Sequence, residues 1–151
     1  MNISAEERAL YYGERLAEVI RCKTVSKKDG FEAAEFLKLR EVIKKLFPLM
    51  TEKAELKILG DDAYLYKIKG RDESRNVMVM SHHDVVDATG DWQEEPFAGA
   101  IRDGKLWGRG TVDTKTPLFA EFSAIEELLG EGFEFPVNTY LFSSHNEEYG
   151  G

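Results

Sequence analysis

Apolar residues recur at helical spacing early in the chain and at strand spacing through its middle. Ser4 and Glu7 make a capping-box pair, and Ala9, Tyr12, Leu16 and Val19 behind them share one helical face. A second helix is expected to begin near Asp29 and to turn Phe36, Leu39, Ile43 and Leu46 inward, with Pro48 marking its end. The intervening KTVSKKDG reads as a loop. AELKIL alternates apolar and polar residues, and AYLYKIK follows it after Gly60-Asp61-Asp62, which is a hairpin pattern. VMVMS is almost continuously apolar and of strand length, so it predicts a strand buried in the interior of a sheet. Asp103-Gly104 is a turn signal between FAGAI and KLWG. Thr116-Pro117 reads as an N-cap followed by a first-turn proline. Leu118, Phe122, Ile125 and Leu129 form the inward stripe of that helix, and Gly130 ends it. VNTYLFS, after Pro136, predicts a last buried strand. Helices alternating with apolar strands imply a three-layer α/β/α fold, and the hairpins imply a mixed sheet.

Composition narrows the functional classes. With 151 residues, 42% hydrophobic and 32% charged, the chain has the make-up of one globular domain with a sizeable core. A net charge of −8 argues against nucleic acid or an anionic membrane surface as partner, since both reward clustered Lys and Arg. No run approaches the roughly 20 apolar residues of a membrane span. The opening MNISAEERAL lacks the basic and apolar regions of a secretory signal, so the cytoplasm is the expected compartment. Cys22 has no partner for a disulfide and is expected to act as a small buried apolar residue.

Three separated groups carry chemistry. His82-His83-Asp84 closes the VMVMS strand. Side chains alternate along an extended segment, so His82 and Asp84 share a side and His83 faces away, in a structural role. A ligating imidazole gives its second N–H to an acceptor, which casts His82 as ligand and Asp84 as the group that orients it. Asp113 follows the GRG turn and precedes a helix, where its carboxylate can reach a metal over the strand ends or bridge two. Arg109 and Lys115 read as solvated or ion-pairing cations. Glu147 and Glu148 are adjacent acids whose repulsion a cation relieves. One would bind the ion and the other would take a proton from water, and spacing does not say which. Singly, each group has a plainer explanation: a core histidine beside an acid, a turn-capping aspartate, a solvated acidic pair. In this order, after strands and a glycine turn, they describe a divalent-metal site.

The segments SHHDVVDATGDWQEEPFAGAIRDGKLWGRGTVDTK and SSHNEEYGG resemble the zinc-dependent metallopeptidase and amidohydrolase family of acetylornithine deacetylase, succinyl-diaminopimelate desuccinylase and carboxypeptidases G and S. FLKLREVIKKLFPLM and the His145 before the acidic pair are most similar to the carboxypeptidase S branch, which cleaves N-acyl amino acids and short peptides. The resemblance implies a phosphorylase/hydrolase-like zinc-peptidase catalytic domain, with residues 1–151 as its N-terminal part. It implies two divalent ions, Zn²⁺ first and Co²⁺ or Mn²⁺ as alternatives. His82 would bind one ion, Glu148 the other, and Asp113 both, with Glu147 as general base and Asp84 orienting His82. Three positions depart from the family pattern: Asp87 stands where proline is usual, Asn146 where an acid is common, and Thr116 where glycine is frequent. Another carboxylate ligand, a distal histidine ligand and a lid or dimerisation domain come from later segments in the family and are absent from this chain. The expected function is metal-dependent hydrolysis of an amide bond in a short peptide or N-acyl amino acid. The alternative expectation is a truncated, non-catalytic fragment that binds metal weakly and self-associates as a homo-oligomer.

Overall fold

The computed structural model describes residues 4–150. Helix α1, Ala5–Ile20, opens on the expected capping box: the Ser4 hydroxyl accepts from the Glu7 amide, and the Glu7 carboxylate accepts from the Ser4 amide at 2.8 Å. It buries Ala17, Val19 and Ile20 and packs Tyr12 and Leu16 at the core margin, while Ala9 stays exposed. The segment expected as a loop holds a short hairpin, β1 (Ser26–Lys27) with β2 (Gly30–Phe31). Helix α2 therefore starts at Ala33, not near Asp29, and runs Ala33–Leu46 with Phe36, Leu39, Ile43 and Leu46 buried as expected. Pro48 follows its end and sits in the first turn of α3, Pro48–Lys53.

The expected hairpin is β3 (Glu55–Leu59) with β4 (Ala63–Ile68). Strand β5, Asp72–His82, comes next, and then the second hairpin, β6 (Ala100–Arg102) with β7 (Lys105–Trp107). Helix α4, Lys115–Gly130, begins one residue before Thr116. Thr116 is not its N-cap; its hydroxyl instead donates to the Thr111 carbonyl at 2.5 Å. Strand β8, Val137–Ser144, completes a mixed sheet in the order β3-β4-β8-β5. β8 is antiparallel to β4 and parallel to β5.

Tyr64, Tyr66 and Ile68 of β4 and Leu141 of β8 meet Phe36, Leu39, Ile43, Phe119 and Phe122 in one core. The described residues thus supply the mixed sheet and one helical layer of the expected architecture. The burial expected of VMVMS is also overturned. VMVMS lies in β5 at the sheet edge, and Val77, Met78, Val79 and Met80 are exposed, Met80 by 67%. An unbroken apolar run records that a strand is built for burial, but burial needs a neighbour on each side, and among the described residues β5 has only β8. No helix is long and apolar enough to cross a membrane among these residues.

Candidate metal centre

Parallel pairing of β5 and β8 puts their carboxyl ends side by side, with His82 in register with Ser144. The chain beyond β8 passes through Asn146 into a single 3-10 turn, Glu147–Tyr149, so both glutamates arrive beside His82. Asp113 reaches the same place from the glycine turn, and its peptide bond to Thr114 is cis. One donor atom each from His82, Asp113 and Glu148 lie within 4.8 Å of one another. His82 Nε2 is 3.0 Å from Asp113 Oδ1 and 3.7 Å from Glu147 Oε2. Its Nδ1 is 3.0 Å from the Asp84 carbonyl oxygen. A carbonyl can only accept, so Nδ1 carries the proton, and Nε2 is the nitrogen whose lone pair can face an ion.

Asp84 does more than orient this ring. Fully buried, it accepts from the Ser26 hydroxyl at 2.6 Å and from the amides of Glu147 and Glu148, each at 3.1 Å, while Oδ1 lies 3.3 Å from His82 Nδ1. Burial opposes its charge. Hydrogen bonds from His82, Ser26 and the two amides outweigh that and hold the carboxyl below its ordinary pKa. One carboxylate therefore fixes the imidazole and the turn that bears both glutamates. The role of Ser26 was not legible from spacing, because it lies 58 residues before Asp84.

His83 faces away, as alternation requires. Its Nδ1 is 2.8 Å from Ser143 Oγ, its ring stacks on Tyr64 at 4.2 Å, and burial lowers its pKa. Lys115 is not a solvated cation. It is completely buried, and its Nζ donates to the Cys22 carbonyl at 2.5 Å and the Val19 carbonyl at 3.2 Å, while burial pushes its pKa down to about 8. Arg109 lies 5.0 Å over the Trp92 ring. His145 is buried outside the donor cluster, 3.9 Å from Asp61.

The hydrogen bond to Asp84 raises the His82 pKa, burial works against it, and Asp113 raises it again, to about 9. Glu148 is raised by burial and then by the charge of Asp113. A proton on His82 Nε2 thus holds the place a cation would take. Apparent affinity for a divalent ion should climb about tenfold per pH unit up to pH of about 9 and then level off. Chelator-competition titrations at several pH values check this, and a flat profile would refute it. Because the pKa is raised from 6.5, the pairing stabilises the ion-free fold fully below that pH and is lost as pH rises through about 9.

An imidazole and carboxylates gathered over the carboxyl ends of neighbouring strands in a mixed α/β sheet form a donor set suited to a divalent ion. Residues 78–151 match the model of Peptidase family M20/M25/M40, and the chain belongs to that family. It is 37% identical over 145 residues to probable carboxypeptidase S-like 2 of Dictyostelium discoideum, covering 91% of this chain and 28% of that protein. It is 32% identical to N-fatty-acyl-amino acid synthase/hydrolase PM20D1 of Xenopus tropicalis, covering 97% of this chain and 30% of that protein. Among solved structures, the M20 family metallo-carboxypeptidase Sso-CP2 of Sulfolobus solfataricus aligns with a TM-score of 0.72 at 26% identity, covering 97% of this chain and 32% of that one. The chain therefore spans under a third of the length of each protein it matches here.

Proposed function

We propose that this chain is the N-terminal part of a metallohydrolase catalytic domain that cleaves an amide bond in a short peptide or N-acyl amino acid. One observation carries the proposal: His82, Asp113 and Glu148 bring their donor atoms within 4.8 Å, with the Glu147 carboxylate 3.7 Å from the same imidazole. A nitrogen donor and two carboxylates suit Zn²⁺, and Co²⁺ or Mn²⁺ accept the same set. His82 Nε2 and Glu148 would each hold one ion and Asp113 both, with the remaining donors coming from segments outside this chain. When bound, the metal supplies Lewis-acid polarisation of the amide carbonyl and makes water more acidic.

The residues divide the rest of the work. Asp84 holds the His82 tautomer and ring plane. It also pins the glutamate turn by its amides, which leaves the Glu147 side chain free. Glu147 takes a proton from the attacking water and returns it to the amine nitrogen that leaves. Names of the relatives support the substrate class, since they include carboxypeptidases and an N-fatty-acyl-amino acid hydrolase.

Calorimetry with Zn²⁺ tests the reading. The chain should bind weakly, because a zinc site usually draws on three or four protein ligands and part of each set lies outside it. His82→Ala and Glu148→Gln should each abolish the heat while circular dichroism is retained. Tight binding of two ions, or unchanged binding in both variants, would contradict the assignment. The exposed apolar residues Val77, Met78, Val79 and Met80 favour a second reading, a non-catalytic fragment that self-associates. In that case the titration would show no ion-dependent heat, and the sedimenting mass would rise with concentration.

A further inference from the structure

Lys115 is the only buried lysine among the described residues, and no carboxylate lies within ion-pair distance of it there. Its ammonium sits instead on the Val19 and Cys22 carbonyls at the carboxyl end of α1. That helix has no basic residue in its own last turn. Each carbonyl already accepts a backbone N–H, Val19 from Cys22 and Cys22 from Thr24, so the ammonium takes up remaining lone pairs at the negative end of the helix dipole, from 93 residues beyond Cys22.

The approach is built. The Lys115 amide donates to the Gly110 carbonyl at 2.9 Å, closing a loop that carries Asp113. A Cβ on Gly110 would come within 2.9 Å of Val85 Cγ1 and 3.1 Å of Lys115 Cδ, and its φ of 88° itself favours glycine. The glycine therefore leaves room for the lysine stem. The segment Lys115 docks on runs on to Thr24 and Ser26, which donate to the His83 carbonyl at 2.5 Å and to Asp84 at 2.6 Å. One stretch of backbone, residues 19–26, thus braces the Asp113 loop on one side and the His82 strand end on the other.

We infer that Lys115 is a positioning residue for Asp113, its ammonium docked on the end of α1 so that the loop presents Asp113 to His82. The inference rests on the reading of Asp113 as a metal ligand. It also gives a physical reason for the spacing of Gly110, Asp113 and Lys115. The test is Co²⁺ binding to the chain, followed by its visible absorption band and by affinity, with circular dichroism as the check on folding. Lys115→Met should weaken Co²⁺ by about tenfold or more, the scale on which supports behind a ligand act, and should shift the band. Lys115→Arg, which keeps the charge, should restore the band. Leu118→Ala, a core change on the same helix, should lower stability without moving the band. Should the Met variant not fold, Gly110→Ala crowds the stem with the ammonium retained and is expected to give the same loss. Native affinity and band in Lys115→Met or Gly110→Ala, or the same shift in Leu118→Ala, would overturn the inference. Asp113→Asn separates the two levels. If it leaves Co²⁺ binding intact, the ligand reading fails, whereas weakened binding there with none in Lys115→Met sinks only the positioning role.

Discussion

Asp84→Asn should destabilise the chain by about 3 kcal/mol or more, the scale on which a buried charge with committed partners is felt when one partner is removed. Four donors are aimed at this carboxylate: the Ser26 hydroxyl, the Glu147 and Glu148 amides, and His82 Nδ1. The asparagine amide group turns one acceptor into a donor and places it against donors already there. Ser26→Ala removes a single hydrogen bond and should cost about 1 kcal/mol. Urea unfolding of the two variants, with unchanged slopes, gives the comparison. A wild-type midpoint in Asp84→Asn would mean that the clamp contributes nothing. The pH dependence has a definite sign. Because the Asp84 pKa is depressed, its stabilisation is present above the ordinary carboxylate value of 3.8 and is lost as pH falls through the lower folded value.

Features written in local periodicity were legible. The capping box at Ser4, the inward stripe of α2 and both hairpins depend on residues a few positions apart, and the structure reproduces them. So was the convergence of His82 and Glu148, because parallel β5 and β8 bring their carboxyl ends together, and Asp113 joins them from the glycine turn. Burial of VMVMS was not legible, since exposure depends on what sits beside β5 and an apolar run cannot name its neighbour. Lys115 failed for the same reason. A lysine beside an aspartate reads as a surface cation until the carbonyls of α1, distant in sequence, come into range. Ser26 and the double grip of Asp84 also exist only in the folded chain. Which of Glu147 and Glu148 does which task came from family resemblance alone.

That division of labour makes the last prediction the most discriminating. Glu147→Gln should lower amide hydrolysis by about 10²–10⁴-fold, the contribution of a positioned base, and leave ion binding within about threefold. Glutamine keeps the side-chain shape and the backbone hydrogen bond to Asp84, so the turn and the adjacent Glu148 stay in place. What it loses is the ability to take a proton next to His82. Glu148→Gln should do the reverse and lose the ion first, with hydrolysis falling as a consequence. Hydrolysis of an N-acyl amino acid by this chain joined to the segments that supply the remaining donors and loaded with metal, with metal content measured on the same samples, separates the two. Loss of metal in Glu147→Gln with retention in Glu148→Gln would exchange their roles. Equal effects in both would mean that the pair acts as one charged patch around the ion. Asp84 makes the split physically reasonable: its carboxylate anchors both glutamates by their backbone amides and not through their side chains, so each side chain can serve a different atom.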